Sequence, residues 1–378
     1  MAIPCAFQLF WVRWQLFISY FFKSVKRSVF INGIGAVTTQ GVWRQEIFSE
    51  AQVLDHAITS ANQPAYKGVI SPVAIRRMSS GIKMGIYAAR QALEEAVMSM
   101  PDAIVTGTGL GCSEDSDKFL RSLWENDEQF LTPTSFIQST HNTVAAQIAL
   151  QLQCKGYNVT YVNGAISFES ALLDTLLLLQ SGEAKNVLLG GVDEIAQQTY
   201  AFLQAGGYIK AADTCETVKT SASPGVNYAE GAHFFSIGRD KTASSYAQVV
   251  DVALKNELEV PETASFLQGF LATNDLPSSA IDAVILGYNG DKQDDLFYAA
   301  IQHMLPSAVP LYYKHLSGQF DSCSAFGLMV AAFVLKQQTV PPILHWNEKN
   351  PSKTTWKNIL IYSQYKGKDH SLVFVSAC

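Results

Sequence analysis

Charge is scarce in this sequence. Only 16% of its 378 residues are Asp, Glu, Lys or Arg, and 27 basic against 33 acidic residues leave a net charge of −6. No basic block occurs after residue 27, so the electrostatic footprint that nucleic-acid binding needs is missing. Cysteines are few and scattered: Cys5, Cys112, Cys154, Cys215, Cys323 and Cys378 form no C-x-x-C pair and no His/Cys group at metal spacing. No metal site is expected, a chain of this length needs no disulfide staples, and reduced thiols in a cytoplasmic protein are the expected state. A clean membrane-spanning run is lacking too. The most apolar stretch, residues 7–22, is shorter than the roughly 20 residues a span requires and carries Arg13 in its middle. No A-x-A-like cleavage site accompanies it. Residues 1–28 therefore read as an apolar N-terminal extension. With Lys23, Lys26 and Arg27 on its flank, segment 7–27 has the make-up of an interfacial helix in weak contact with a membrane surface; a weak anchor and an extension outside the folded domain are the competing readings.

Apolar residues, by contrast, make up 48% of the chain, ample for a large interior and a buried subunit interface. The folded part starts with a β-branched, glycine-broken strand at Val29–Val37. Residues 41–75 are polar and irregular. Ile82, Met84, Ile86, Ala89, Leu93 and Ala96 recur at helical spacing within Gly81–Met98. A strand from Ala103 ends in a glycine turn, a capped helix is expected from Ser139, and Val159–Val162 is a strand. Ser170–Gln180 is an almost wholly apolar helix, hence buried, and Gly182 ends it. Asn186–Glu194 is a further strand with a glycine turn. The pattern then recurs with strands at 246–254, 281–287, 357–363 and 371–376 and helices at 262–274, 293–304 and 322–336. Two β-α-β-α-β halves, 29–245 and 246–378, imply an α/β fold with covered sheets.

Isolated reactive side chains have plain readings. Cys112 follows Gly107-Thr-Gly-Leu-Gly and reads as a turn thiol; the stretch lacks the third glycine of a dinucleotide fingerprint, so no cofactor is expected. His141 reads as a helix-start residue. Glu169 opens the apolar helix, where the macrodipole favours a carboxylate and backbone N–H groups are expected to bond it.

Several segments taken together carry a family resemblance. Val187-Leu-Leu-Gly190-Gly191-Val-Asp-Glu, Asn227-Tyr-Ala-Glu230-Gly231-Ala232, and Lys314-x-x-x-Gly318 followed by Cys323-Ser-Ala-Phe-Gly stand in the order and setting of motifs in β-ketoacyl synthases, the condensing enzymes of fatty-acid and polyketide assembly. The resemblance spans about residues 29–378. It implies a thiolase-like, duplicated five-layered α-β-α-β-α fold, usually dimeric, with Gly190, Gly191, Glu230, Lys314 and Gly318 as retained family residues.

The same resemblance exposes what is absent. Such an enzyme needs a thiolate at a helix N-terminus, where the dipole and backbone amides lower its pKa. Counting back from Gly190 places that position at Ala165, or at Ile166 with a one-residue gap, and neither side chain can attack a thioester. Ser167 is near but has no evident base. The first family His falls at Gly287, or at Asn289 if the turn is longer, and the second at Gln319; His315 reads as structural. The family's C-terminal glycine turn is replaced by Tyr365-Lys-Gly-Lys-Asp. Loss of Cys and both His residues resembles the chain-length factors of type II polyketide systems. Phe136–Thr143 and Ser167–Asp174 are similar to factor-like homologues of aryl-polyene and flexirubin pigment clusters. The resemblance implies a heterodimer with an active ketosynthase, an acyl carrier protein reached through that complex, an apolar interface beyond about 2,000 Å², and a tunnel wall at Ala165, Ile166, Ser167, Phe168 and Glu169. Two other readings stay open: a divergent thiolase-fold acyltransferase or thioesterase using Ser167 or Cys112 with His141, and a homodimeric carrier-protein docking subunit.

Overall fold

The computed structural model describes residues 27–129, 131, 133–347 and 353–378; the aromatic segment of the N-terminal extension lies outside the described residues. The first half contains β1 (Phe30–Thr38), α1 (Ser80–Glu95), β2 (Ala103–Gly107), α2 (Ser113–Glu125), α3 (Thr143–Leu152), β3 (Tyr157–Tyr161), α4 (Ser167–Ser181), β4 (Asn186–Asp193) and β5 (Gly231–Gly238). The second contains β6 (Ala247–Asn256), α5 (Thr263–Thr273), β7 (Ala283–Leu286), α6 (Lys292–Met304), β8 (Val309–Tyr312), α7 (Ser324–Gln337), β9 (Asn358–Tyr365) and β10 (Asp369–Ser376).

These ten strands follow one another in a single sheet as β8-β7-β9-β10-β6-β1-β5-β4-β2-β3, with the two-residue strand Gly41–Val42 paired beside β1. The order is the same motif twice. In the first half β2 runs parallel to β3 and β4, while β4–β5 and β5–β1 are antiparallel. In the second, β7 runs parallel to β8 and β9, while β9–β10 and β10–β6 are antiparallel. The two copies join where Phe30 and Ile31 of β1 face Gln248 and Ala247 of β6.

Side-chain alternation along the strands sorts the interior into layers. On β4, Leu188 faces a cluster with Ile82, Ile86 and Leu93 of α1 and Val144 and Ile148 of α3, whereas Val187 and Leu189 face the opposite way, toward Phe168, Leu172 and Leu176 of α4. On β7, Val284 and Leu286 face Leu267 and Phe270 of α5 and Tyr298 and Ile301 of α6, whereas Ala283 and Ile285 share the α4 cluster with Phe326 and Val330 of α7. Helices α4 and α7 thus form a middle layer between the two covered halves of the sheet, giving the five-layered α-β-α-β-α arrangement of the thiolase-like fold. Middle-layer position explains why α7 is buried from Ser324 to Leu335 and why α4 needs so little charge. Gly182, in the left-handed region at φ 91°, terminates α4.

One helix start differs from expectation by four residues. The helix expected from Ser139 begins at Thr143. The Ser139 and Thr140 hydroxyls donate to the Phe136 and Ile137 carbonyls at 2.8 and 3.1 Å, closing the preceding helix Pro133–Gln138 instead of opening the next. Among the described residues, no helix is long and apolar enough to cross a membrane.

Candidate functional site

The site is built around the first turn of α4. The loop from β3 turns at Gly164, whose φ is +53°, and places Ala165 and Ile166, both buried, just ahead of the helix. Ser167 is committed on both sides: its hydroxyl donates to the Gly164 carbonyl at 2.7 Å and accepts from the Asn163 N–H at 2.8 Å. It closes the loop and has no general base. Phe168 packs against Phe235, with ring centroids 5.8 Å apart, and lies where a Cβ on Gly191 would come within 3.0 Å of it. The end of β2 abuts the same turn, since a Cβ on Gly107 would stand 2.4 Å from the Ser167 carbonyl. On the loop's other side, the Ala165 N–H donates to Asp369 Oδ2 at 3.1 Å.

A second buried polar group lies around Lys314, which is only 2% exposed. Its Nζ donates to Gln319 Oε1 at 2.8 Å. A Cβ on Gly287 would lie 3.1 Å from Lys314 Nζ and 2.9 Å from the Tyr298 hydroxyl. Gly287 therefore faces Lys314. Asn289 is turned into its own loop, donating to Asp294 Oδ2 at 2.8 Å and accepting from the Asp291 N–H at 2.9 Å. Glu169 sits deep in the same region. Its Oε1 accepts from Ser371 Oγ at 2.7 Å; burial pushes its carboxyl up, while the Ser371 hydrogen bond and the Lys314 charge act against that rise. Glu169 thereby ties α4 across to β10.

The remaining motif residues form the frame. Gly318, at φ +68°, approaches Ala229 so closely that a Cβ would meet its side chain at 2.4 Å. Gln319 N–H donates to the Asn227 carbonyl at 2.9 Å, and Ala229 N–H returns a bond to the Gln319 carbonyl at 3.1 Å. Glu230 accepts from the backbone N–H groups of Ala61 and Ile195 at 3.1 and 2.8 Å. Gly190 leaves room for Phe234, whose ring would lie 2.2 Å from a Cβ there. Asp193 is the central tie. Its Oδ1 accepts from Thr108 Oγ1 and the N–H groups of Gly109 and Leu110, and its Oδ2 accepts from the N–H and hydroxyl of Ser322. Next to it, Asp321 is pushed up to about 7 by burial and by the Asp193 and Asp369 carboxylates.

The other candidates lie apart from this chemistry. Cys112 is buried at the start of α2, and burial together with Glu194 raises its thiol, so it stays protonated and inert. His141 is exposed in the turn before α3. His315 stacks on Tyr312 at 3.6 Å with its Nε2 against the Ile343 carbonyl at 2.9 Å, and burial pushes it down to about 3. Among the described residues no group of three or more His, Cys, Asp or Glu is arranged to hold a metal ion. The cavities of about 670, 490 and 450 Å³ are lined by residues other than 165–169.

The family model for the N-terminal domain of β-ketoacyl synthases matches residues 31–243. The chain belongs to the β-ketoacyl synthase family. No curated protein sequence matches this family member. Among solved structures, its fold is similar to the ishigamide ketosynthase/chain length factor, with 18% identity and a TM-score of 0.77 over 93% of this chain and 100% of that one. It is likewise similar to AntDE:AntF, described as a type II PKS acyl-carrier protein in complex with its ketosynthase bound to the hexaketide, with 14% identity and a TM-score of 0.75 over 93% and 100%. A third similar structure is the ketosynthase ApeO in complex with its chain length factor ApeC from Xenorhabdus doucetiae, with 12% identity and a TM-score of 0.73 over 93% and 98%. Identities this low carry the fold alone. Within this β-ketoacyl synthase fold, sequence reasoning missed Asp369, Asp321 and Gly107. The only signal for Asp369 was a charged residue where the resemblance expects a glycine turn.

Proposed function

We propose that this chain is a non-catalytic ketosynthase homologue acting as a chain-length factor, which pairs with an active β-ketoacyl-ACP synthase and shapes the tunnel that receives the growing acyl or polyene chain. One observation carries this reading: the family framework is assembled around Lys314, yet the positions expected to hold the reactive side chains carry only an alkyl group at Ala165 or Ile166, a hydrogen or an amide at Gly287 or Asn289, and an amide at Gln319. Side chains at those positions offer no thiolate for attack and no imidazole for the developing charge.

An uncovered surface supports the pairing. Leu173 and Leu177, one turn apart on α4, are 36% and 56% exposed. Beside them β3 is the terminal strand of the sheet, with Tyr157 and Val162 also exposed. An unpaired strand edge next to apolar side chains invites a partner, and a second ketosynthase-fold chain is the partner proposed. The ketosynthase and chain-length-factor complexes among the structural neighbours point the same way. Residues 29–245 and 246–378 serve as the two thiolase-like halves, and residues 165–169 with α4 contribute one wall of the tunnel, where bulk sets product length by sterics. The acyltransferase or thioesterase reading has no supporting geometry, because the Ser167 hydroxyl is engaged and the Cys112 thiol is buried.

The test is co-expression with a ketosynthase that retains Cys-His-His. The expected result is a co-purifying heterodimer that extends malonyl units, whose product length shifts when Ala165 is changed to Phe. A soluble isolated chain that condenses malonyl units unaided overturns the proposal.

A further inference from the structure

Asp369 meets the start of α4 from the opposite half of the molecule. Its Oδ2 accepts the Ala165 N–H at 3.1 Å. Gly164 makes room for it: the residue is in the left-handed region at φ +53°, and a Cβ there would stand 2.7 Å from the same oxygen. Any other residue at 164 would be strained and would push the carboxylate away. The carboxylate is also held from behind. Asp369 opens β10 opposite Tyr365 of β9 and Asn256 of β6. The intervening hairpin is pinned by Lys366 Nζ on Asp291 Oδ2 at 2.8 Å, by Lys366 N–H on Asp294 Oδ1 at 3.0 Å, and by Gly367 N–H on Gln364 Oε1 at 2.9 Å.

We propose that Asp369 is a built-in stopper, whose carboxylate occupies the Ala165 backbone amide and keeps acyl carbonyls off the start of α4. Acyl transfer there would need backbone N–H groups aimed at a carbonyl oxygen that gains negative charge, and the N-terminal end of a helix favours such charge. Asp369 offers the same amide a full anion. It is tethered by the chain and pays none of the translational and rotational cost a thioester must meet on binding, so a neutral carbonyl does not displace it. The carboxylate also opposes ionisation of any thiol placed at 165, because a like charge nearby favours the protonated form. Loss of the nucleophile and blockage of its amide are therefore two separate barriers. This inference rests on the non-catalytic reading of the site and predicts that restoring a cysteine alone leaves it shut.

The experiment compares Ala165→Cys with Ala165→Cys/Asp369→Ala, using hexanoyl-N-acetylcysteamine as acyl donor and intact mass as readout. The expected result is slow acylation of the single variant and acylation faster by at least about tenfold in the double variant. The double variant should also react with iodoacetamide at a lower pH midpoint. Equal acylation rates overturn the stopper. Where the double variant folds poorly, hydrogen exchange at the Ala165 amide decides: it should accelerate by about tenfold or more in Asp369→Ala relative to wild type, and unchanged protection refutes the proposal. Asp369→Leu, which keeps much of the bulk and removes the acceptor, serves for the exchange measurement if the alanine variant unfolds. Acylation of the wild-type chain is a separate result that sinks the non-catalytic reading, with the exchange comparison still judging the stopper.

Discussion

The Lys314 ammonium is held against the Gln319 amide oxygen at 2.8 Å in a pocket closed to solvent. A neutral acceptor for a buried cation is an unusual economy, and it makes the pair asymmetric. Removing the acceptor leaves a desolvated charge, whereas removing both leaves an apolar gap of ordinary cost. Gln319→Leu should destabilise the chain by about 2–4 kcal/mol, and Lys314→Met/Gln319→Leu should be less destabilised than Gln319→Leu alone. Urea denaturation of the four proteins in the cycle checks this. Simple additivity of the two single effects would show that the amide does not support the charge.

Leu173 and Leu177 provide a test of pairing that leaves the fold intact. Both are exposed on α4 while Leu172, Leu176 and Leu179 of the same helix are buried. Leu173→Asp/Leu177→Asp should change the stability of the isolated chain by no more than about 0.5 kcal/mol per site, yet abolish co-purification with a ketosynthase. A complex that survives the double substitution places the partner elsewhere.

Gly107 sets how closely β2 meets the site. A Cβ there would lie 2.4 Å from the Ser167 carbonyl, a backbone contact that cannot swing aside as a side chain would. Gly107→Ala should cost about 1–3 kcal/mol by overpacking and shift the first turn of α4. Thermal unfolding reads the cost, and Ala165 amide exchange reads the shift. A neutral substitution with unchanged exchange would mean that strand and helix are less tightly abutted.

Most of the fold was legible because its signals are local and periodic. The apolar run from Ser170 and the stop at Gly182 identify a largely buried helix without any knowledge of its neighbours. Spacing from Gly190 and Lys314 points to Ala165 or Ile166, and to Gln319, as the degenerate positions. Which of Gly287 and Asn289 faces Lys314 was not legible, because that is a relation between two segments of the second half. Asp369 was opaque for the same reason. Its contact with Ala165 spans the two halves of the duplication, and nothing in Tyr365-Lys-Gly-Lys-Asp announces a backbone amide 204 positions earlier in the chain. Competition at Ser139 and Thr140 was hidden differently, since the same hydroxyl that caps one helix can close another.

Asp321 gives the site a pH signature. Its carboxyl rises from an ordinary 3.8 to about 7, first through burial and then through Asp193 and Asp369, with Tyr228, Tyr365 and Cys323 as the other titratable groups in its electrostatic reach. Because the folded chain holds this proton more tightly than the unfolded chain, the contribution is fully present below about pH 4 and is lost as pH rises to about 7. Asp321→Asn keeps the shape and cannot ionise, so its stability should lack that decline. Titrations common to both proteins cancel in the comparison. Relative to the variant, wild type should lose on the order of 1–3 kcal/mol between pH 5 and pH 8, measured by urea unfolding at each pH. Parallel stability profiles would mean that Asp321 ionises freely, and that Asp193 and Asp369 exert no hold on it.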